Sequence, residues 1–411
     1  MDTSRQTSAS WRTPVMLIIF GCAISMLSFG PRSALGQFLA PLSFAHHWGR
    51  EVFSLALAVQ NLLWGVGQPF AGAVADRFGA VRVLSIGAFL YAAGLALMAW
   101  TDSALGLNIS AGVLIGFGLS GCSFNIVIGA LGKLLPDRYR SLAFGAGTAA
   151  GSFGQFLFSP LARGLIDGFD WQTALVVFAG LMLLILPLSL VLAAPKGAPA
   201  AEKTIAPPQS FRQALSEAFS HRSYVLLVLG FFTCGFQLAF VTVHLPAYLL
   251  DRGLSAEVGA WTIGAIGLFN IVGSLASGYL GVRLPKRYIL SFIYFARALS
   301  IAVFVMLPAS TVTTLIFGAV TGLLWLSTVP PTSSLVAVMF GTRWLSTLYG
   351  FAFFSHQIGG FLGVLLGGLA YEYTGSYNAI WWLSVFFGCM SALINLPIVE
   401  RPVARPAMAA A

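Results

Sequence analysis

Gly72-Ala-Val-Ala-Asp76-Arg77-Phe78-Gly79-Ala80-Val81-Arg82 is a short charged, glycine-bearing stretch set between two long apolar runs. Gly278-Tyr-Leu-Gly-Val-Arg283 stands in the equivalent place after a later run, 206 residues on. A second pair, Ser141-Leu-Ala-Phe-Gly145 and Ser346-Thr-Leu-Tyr-Gly350, is offset by 205 residues. Two matches at nearly one offset imply a duplicated unit that fills the 411-residue chain. Parallel repeats of this kind place a site at their interface, near the bilayer midplane.

Working outward from these stretches, the apolar runs have the length of membrane spans, for which about 20 residues suffice. They cover 14–42, 51–75, 80–101, 106–133, 141–166 and 171–194, then 222–250, 256–281, 286–308, 311–337, 343–371 and 377–398. The predicted fold is therefore an all-α membrane protein: twelve transmembrane helices in two pseudo-symmetric six-helix bundles. The first bundle takes residues 1–194 and the second 222–411. The polar, proline-bearing segment 195–221 reads as a linker, with a short amphipathic helix around 211–219. Composition agrees, because 58% of residues are hydrophobic and only 9% charged, against about 25% in a soluble domain. The first run is too long for a cleaved signal peptide and reads as a retained span.

The net charge of +9 would suit a nucleic-acid partner, but its distribution speaks for topology. All but five of the 22 Lys and Arg fall at the termini, in the linker, or in the loops that follow even-numbered spans. By the positive-inside rule those segments are cytoplasmic, so both termini face the cytoplasm of a multi-pass inner-membrane protein. Of the remaining five, Arg50, Arg163 and Arg252 lie on the opposite side, and Arg32 and Arg297 lie within spans. No nucleic-acid partner is expected, and the working unit is expected to be a monomer. Cys22, Cys122, Cys234 and Cys389 sit in apolar runs with neither disulfide nor metal spacing, and His46-His47 lacks ligand neighbours. Nucleophile elbow, phosphate loop and metal cluster are all missing, so no enzyme activity, metal or cofactor is expected.

The stretch 72–82, with its glycine, aspartate, arginine, second glycine and trailing arginine, resembles the signature of the major facilitator superfamily. The resemblance covers nearly the whole chain. It implies transport by alternating access, with Gly72, Asp76, Arg77, Gly79 and Arg82 forming a conformational latch between the second and eleventh helices. Physically, Gly72 would let helices approach closely and Asp76 would suit a helix N-terminus. Val282 stands where the second copy would carry the aspartate, implying a weaker latch there. Arg140-Ser-Leu142-Ala143-Phe-Gly145 is similar to a motif of the monocarboxylate-porter and oxalate/formate-antiporter branch. The acidic Gly-Gly-Trp motif of the animal transporters is replaced by Gly30-Pro31-Arg32.

All 13 acids can be placed in loops, termini or span ends, leaving two arginines and no carboxylate in the membrane interior. An arginine at mid-span costs roughly 2.5–3.5 kcal/mol on insertion scales, so it needs a partner or a polar cavity. Its planar fork suits a carboxylate. Arg32 is the leading substrate ligand, and Arg297 is divided between substrate and structural roles. Thr233, Gln237, His244 and Tyr248 share one face of the seventh span and are expected to line the cavity. Asn125 shares a face with Gly118, Gly121, Gly129 and Gly132, which favours helix packing over a ligand role. His356 lies near a stripe of Gly359, Gly363 and Gly367. With His244 it is a group able to titrate near neutral pH, for a proton that either travels through the protein or accompanies the substrate. Pro31 and Pro330-Pro331 should distort their helices.

The expected function is secondary transport, by symport or antiport, of a small organic anion, a monocarboxylate above all. The alternatives are efflux of a neutral or amphipathic drug-like compound, and a non-transporting sensor on the same fold.

Overall fold

A computed structural model describes residues 13–135, 137–193, 210–341 and 344–403. Among the described residues the long helical segments are α1 (Pro14–His46), α2 (Arg50–Phe78), α3 (Ala80–Trp100), α4 (Ala104–Gly132), α5 (Asp137–Gly168) and α6 (Trp171–Leu192), then α7 (Arg222–Asp251), α8 (Ala256–Arg283), α9 (Lys286–Met306), α10 (Thr311–Phe340), α11 (Leu345–Thr374) and α12 (Asn378–Asn395). No strand occurs among the described residues. Ten of these segments are long and apolar enough to cross a membrane. The other two, α2 and α5, owe their lower apolarity to inward-facing polar groups, among them Gln60, Asn61, Gln68, Ser152, Gln155 and Ser159, all buried. A short capped helix, Phe211–Ser220, precedes α7 where the sequence suggests one. Residues 194–209, which include the first part of the linker, lie outside the described residues.

Helix ends follow local chemistry. Thr13 caps α1 by accepting from the Met16 N–H at 3.3 Å, with Pro14 in the first turn, where its missing N–H costs nothing. Asp170 caps α6, and the Thr173 N–H holds its carboxyl below the usual carboxylate range. The prolines distort their helices unequally. Pro31 is carried within the α1 helix, which tightens to 3₁₀ geometry only at Leu35–Phe38. Pro330-Pro331 instead open the second piece of α10, after a break between Leu324 and Val329.

That break exposes backbone groups which lipid cannot satisfy. Arg297 from α9 donates Nη2 to the carbonyls of Leu324 and Trp325, at 2.5 and 2.7 Å. Its Nη1 reaches Gln237 Oε1 of α7 at 3.2 Å. Asn270 of α8 accepts from the Leu326 N–H at 2.9 Å, so both polarities of the break are met by side chains.

The buried apolar side chains form two clusters. One is drawn mainly from 17–192 and the other from 218–398. Glycines set the tightest contacts. A methyl group on Gly359 or Gly363 of α11 would meet the carbonyl oxygens of Phe232 and Phe236 on α7 well inside van der Waals distance. On Gly367 it would meet the His244 ring. The sequence-predicted stripe is thus the seam between α7 and α11. Gly36 similarly brings α1 against the Thr242 carbonyl of α7.

Contacts between the first and second six segments are concentrated at one end. Arg50, opening α2, forms a two-pronged ion pair with Asp251, closing α7, each prong 2.7 Å. It also donates to Tyr377 Oη at 3.0 Å and lies over the Tyr371 ring. The α2–α11 contact continues inward through Gly368 against Ser54 and Gly65 against Gln357. Farther along, Gly72 and Gly79 at the end of α2 and Gly350 at the start of α11 face open space.

Candidate functional site

The expected membrane-interior groups do not all meet. Arg32 is the one that fits a ligand position. It is half-buried on α1, its Nη2 donates to Asn61 Oδ1 of α2, and its guanidinium carbon lies 5.0 Å from the Trp64 ring centroid. Its Nε has no partner, and it forms no ion pair among the described residues. An arginine has five N–H donors in a rigid fork, so most of this one's capacity is open.

The second six segments contribute through α11. Gln357 Nε2 donates to the Asn61 carbonyl at 3.2 Å, and His356 Nδ1 lies 3.0 Å from Gln357 Oε1. The Phe353 ring meets Trp64 edge-on at 5.5 Å and stacks on His356 at 5.7 Å. Polar and aromatic links therefore run from Arg32 across Asn61 and Trp64 to Gln357, Phe353 and half-buried His356. The site has a cation, an aromatic wall and an imidazole, drawn from α1, α2 and α11.

Four expectations change. The α7 face of Thr233, Gln237, His244 and Tyr248 does not line an opening, because all four side chains are buried. Thr233 donates to the Phe387 carbonyl at 3.3 Å and Gln237 to the Ser384 carbonyl at 2.8 Å, both on α12, while His244 Nε2 meets the Val364 carbonyl of α11 at 2.9 Å. That face is polar to bind neighbouring helices. Arg297, at 0% exposure, gives three hydrogen bonds through Nη1 and Nη2 to the α10 break and Gln237, with only Nε unpartnered, which makes it a structural clamp. Asn125 does not pack with its glycine neighbours: it is exposed, and Gly129 meets nothing, whereas Gly118 and Gly121 press on α3. The extended backbone at Ser123 breaks the helix there, so the 3.6-residue period does not carry across. Gly72 makes no close helix approach in this conformation. Arg77 and Arg82 are exposed, Gly79 turns the chain from α2 to α3 with φ +92°, and the Asp76 side chain lies outside the described residues.

Asn61, Trp64, Phe353 and Gln357 were not singled out from the sequence. A signal did exist in α2: Gln60, Trp64 and Gln68 recur every four residues beside Asn61, a polar stripe in an apolar run.

The family model described as Major Facilitator Superfamily matches residues 21–364. The chain is similar to an uncharacterized MFS-type transporter, YcxA, of Bacillus subtilis, at 28% identity over 97% of this chain and 98% of that protein. It is 26% identical to monocarboxylate transporter 13 of Rattus norvegicus, over 94% of this chain and 93% of the other. Among solved structures, a D-xylose–proton symporter aligns with a TM-score of 0.73 at 14% identity, covering 94% of this chain and 98% of its own. A bacterial homologue of the human lysosomal transporter Spinster, inward-facing and occupied, aligns at 0.71 and 14% identity, over 92% of this chain and 95% of its own. At those identities the two structures speak for the fold alone.

Proposed function

This chain belongs to the major facilitator superfamily of transporters, and we propose that it carries a small organic anion, a monocarboxylate, by alternating access between halves 1–194 and 222–411. The observation that carries this reading is Arg32: a half-buried cation within a span, with one donor engaged, its guanidinium over the Trp64 ring and no carboxylate partner among the described residues. An incoming carboxylate supplies the missing counter-charge, and at low dielectric that attraction is strong. Trp64 and Phe353 offer an apolar wall to the rest of a small acid. The names of the monocarboxylate transporters among the relatives agree with this substrate class.

A thermal-shift screen of short-chain carboxylates tests it. A true ligand at about 100 times its Kd stabilises the wild type by roughly 2.7 kcal/mol. That stabilisation should vanish in Arg32→Gln. Ligands that are neutral, and that stabilise both proteins alike, would overturn the anion reading in favour of an efflux pump for amphipathic compounds.

The charge distribution supports an orientation in which the Arg77 end is cytoplasmic and both termini with it. On that orientation the Arg50–Asp251 pair closes the outer end while the latch stretch 72–82 stands released. An exposed pair is worth about 1 kcal/mol at most, which corresponds to about fivefold in the balance of states. Arg50→Asp alone is expected to slow uptake by about that factor. Combined with Asp251→Arg it should recover most of the wild-type rate. A double variant no better than the worse single one would show that the pair does not set the balance.

A further inference from the structure

A cavity of about 680 Å³ lies away from the substrate site, where α8 turns into α9 and the chain returns after α12. Arg283, Lys286, Arg287 and Arg401 line it with a single carboxylate, Glu400. Glu400 is already committed, accepting from the Arg287 backbone N–H at 2.7 Å and lying 3.9 Å from Lys286 Nζ. Arg287 braces the wall, donating to the Ile398 carbonyl and to Tyr288 Oη at 3.2 Å each, and its Nε has no partner. Arg283 and Arg401 are exposed and have no acidic partner among the described residues. The cavity therefore presents excess positive charge, with two arginines available for an anion.

Its surroundings say which anion. The cavity lies at the first residues of α9, a helix long and apolar enough to cross a membrane, so a bilayer spanned by α9 would set its headgroups beside it. From it an exposed apolar stripe runs up α9 through Tyr288, Phe292, Phe295, Leu299 and Val303. Val282 and Leu284, 86% and 50% exposed, extend the apolar surface beside the basic groups. An anionic head next to a continuous apolar track describes an amphiphile better than a free ion, and basic pockets at helix ends suit lipid phosphates. We propose that this cavity binds the headgroup of an anionic phospholipid, whose phosphate is held by Arg283 and Arg401 and whose acyl chains lie along α9. The site is separate from Arg32 and does not depend on the identity of the transported solute.

Native mass spectrometry of the full-length protein, equilibrated in micelles with equal phosphatidylglycerol and phosphatidylcholine, tests this. The wild type should retain phosphatidylglycerol at least about tenfold over phosphatidylcholine, a difference of about 1.4 kcal/mol. Arg283→Gln with Arg401→Gln should abolish the preference, and Arg283→Lys with Arg401→Lys should preserve most of it, since a lipid phosphate accepts either cation. Among the described residues neither arginine makes a hydrogen bond or an ion pair, and Arg283 only lies over the Tyr279 ring at 4.6 Å, so an unchanged size-exclusion profile would confirm that both double variants are folded. Equal retention of the two lipids by the wild type, or undiminished preference in the Gln variant, would overturn the proposal. Displacement of the lipid by millimolar glycerol phosphate or inorganic phosphate would overturn it too, assigning the cavity to a free phosphate.

Discussion

Uptake of a labelled short-chain monocarboxylate into proteoliposomes is expected to fall about 100-fold in Arg32→Ala, while the protein remains folded and inserted. A hydrogen bond to a charged group contributes about 1.5–3 kcal/mol, and each 1.4 kcal/mol is a factor of ten. Loss of the guanidinium removes the carboxylate's counter-charge and leaves the anion in a region without another free cation among the described residues. The fold should tolerate the change, because Arg32 makes one side-chain hydrogen bond, to Asn61. The melting temperature should shift little. Arg32→Lys should recover part of the rate, since an ammonium supplies the charge but not the fork. Wild-type uptake by Arg32→Ala would sink the substrate assignment.

Arg297→Ala is expected to behave in the opposite way, costing several kcal/mol of stability, at about 1–3 kcal/mol for each buried acceptor left unsatisfied. Removing this side chain leaves the Leu324 and Trp325 carbonyls and Gln237 Oε1 unpaired in a buried site, and opens a cavity. Against a typical total stability of about 5–15 kcal/mol, that is enough to lower the yield of monodisperse protein sharply. Thermal denaturation followed by size-exclusion chromatography reads the effect directly. Arg297→Lys should be intermediate, reaching one carbonyl but not both. If Arg297→Ala instead keeps the wild-type melting temperature and loses substrate affinity, the clamp assignment fails. The two arginines look alike in the sequence, each a lone cation in an apolar run, and these paired experiments separate them.

Much of the architecture was legible because it rests on signals that run along the chain. The apolar runs and the glycine stripe of α11 each have a period, and the runs appear as long helices and the stripe as the seam with α7. Arg32 was legible through its cost in lipid. Its neighbours were not, because Asn61 and Trp64 sit on another helix, and no period in one helix says which faces of two helices meet. The α7 face shows the same limit. A polar stripe at helical spacing looks the same whether it greets a substrate or a neighbouring carbonyl, and here it greets Ser384, Phe387 and Val364. Asn125 failed for a different reason: Ser123 interrupts the helix on which its face was reckoned. The Arg50–Asp251 pair joins residues 201 apart at two span ends, a separation that only the folded arrangement brings together.

The break in α10 also bears on how the protein is made. Its uncovered carbonyls and N–H group are met by Arg297, Gln237 and Asn270, from α9, α7 and α8. Every one of these helices precedes α10 in the chain. Synthesis proceeds from the N-terminus, so all three partners are already in the bilayer when the interrupted segment emerges. A broken helix arriving first would meet lipid with its backbone unsatisfied, at a cost of several kcal/mol for each group. The order of the genetic message thus spares this segment an orphan stage during biogenesis.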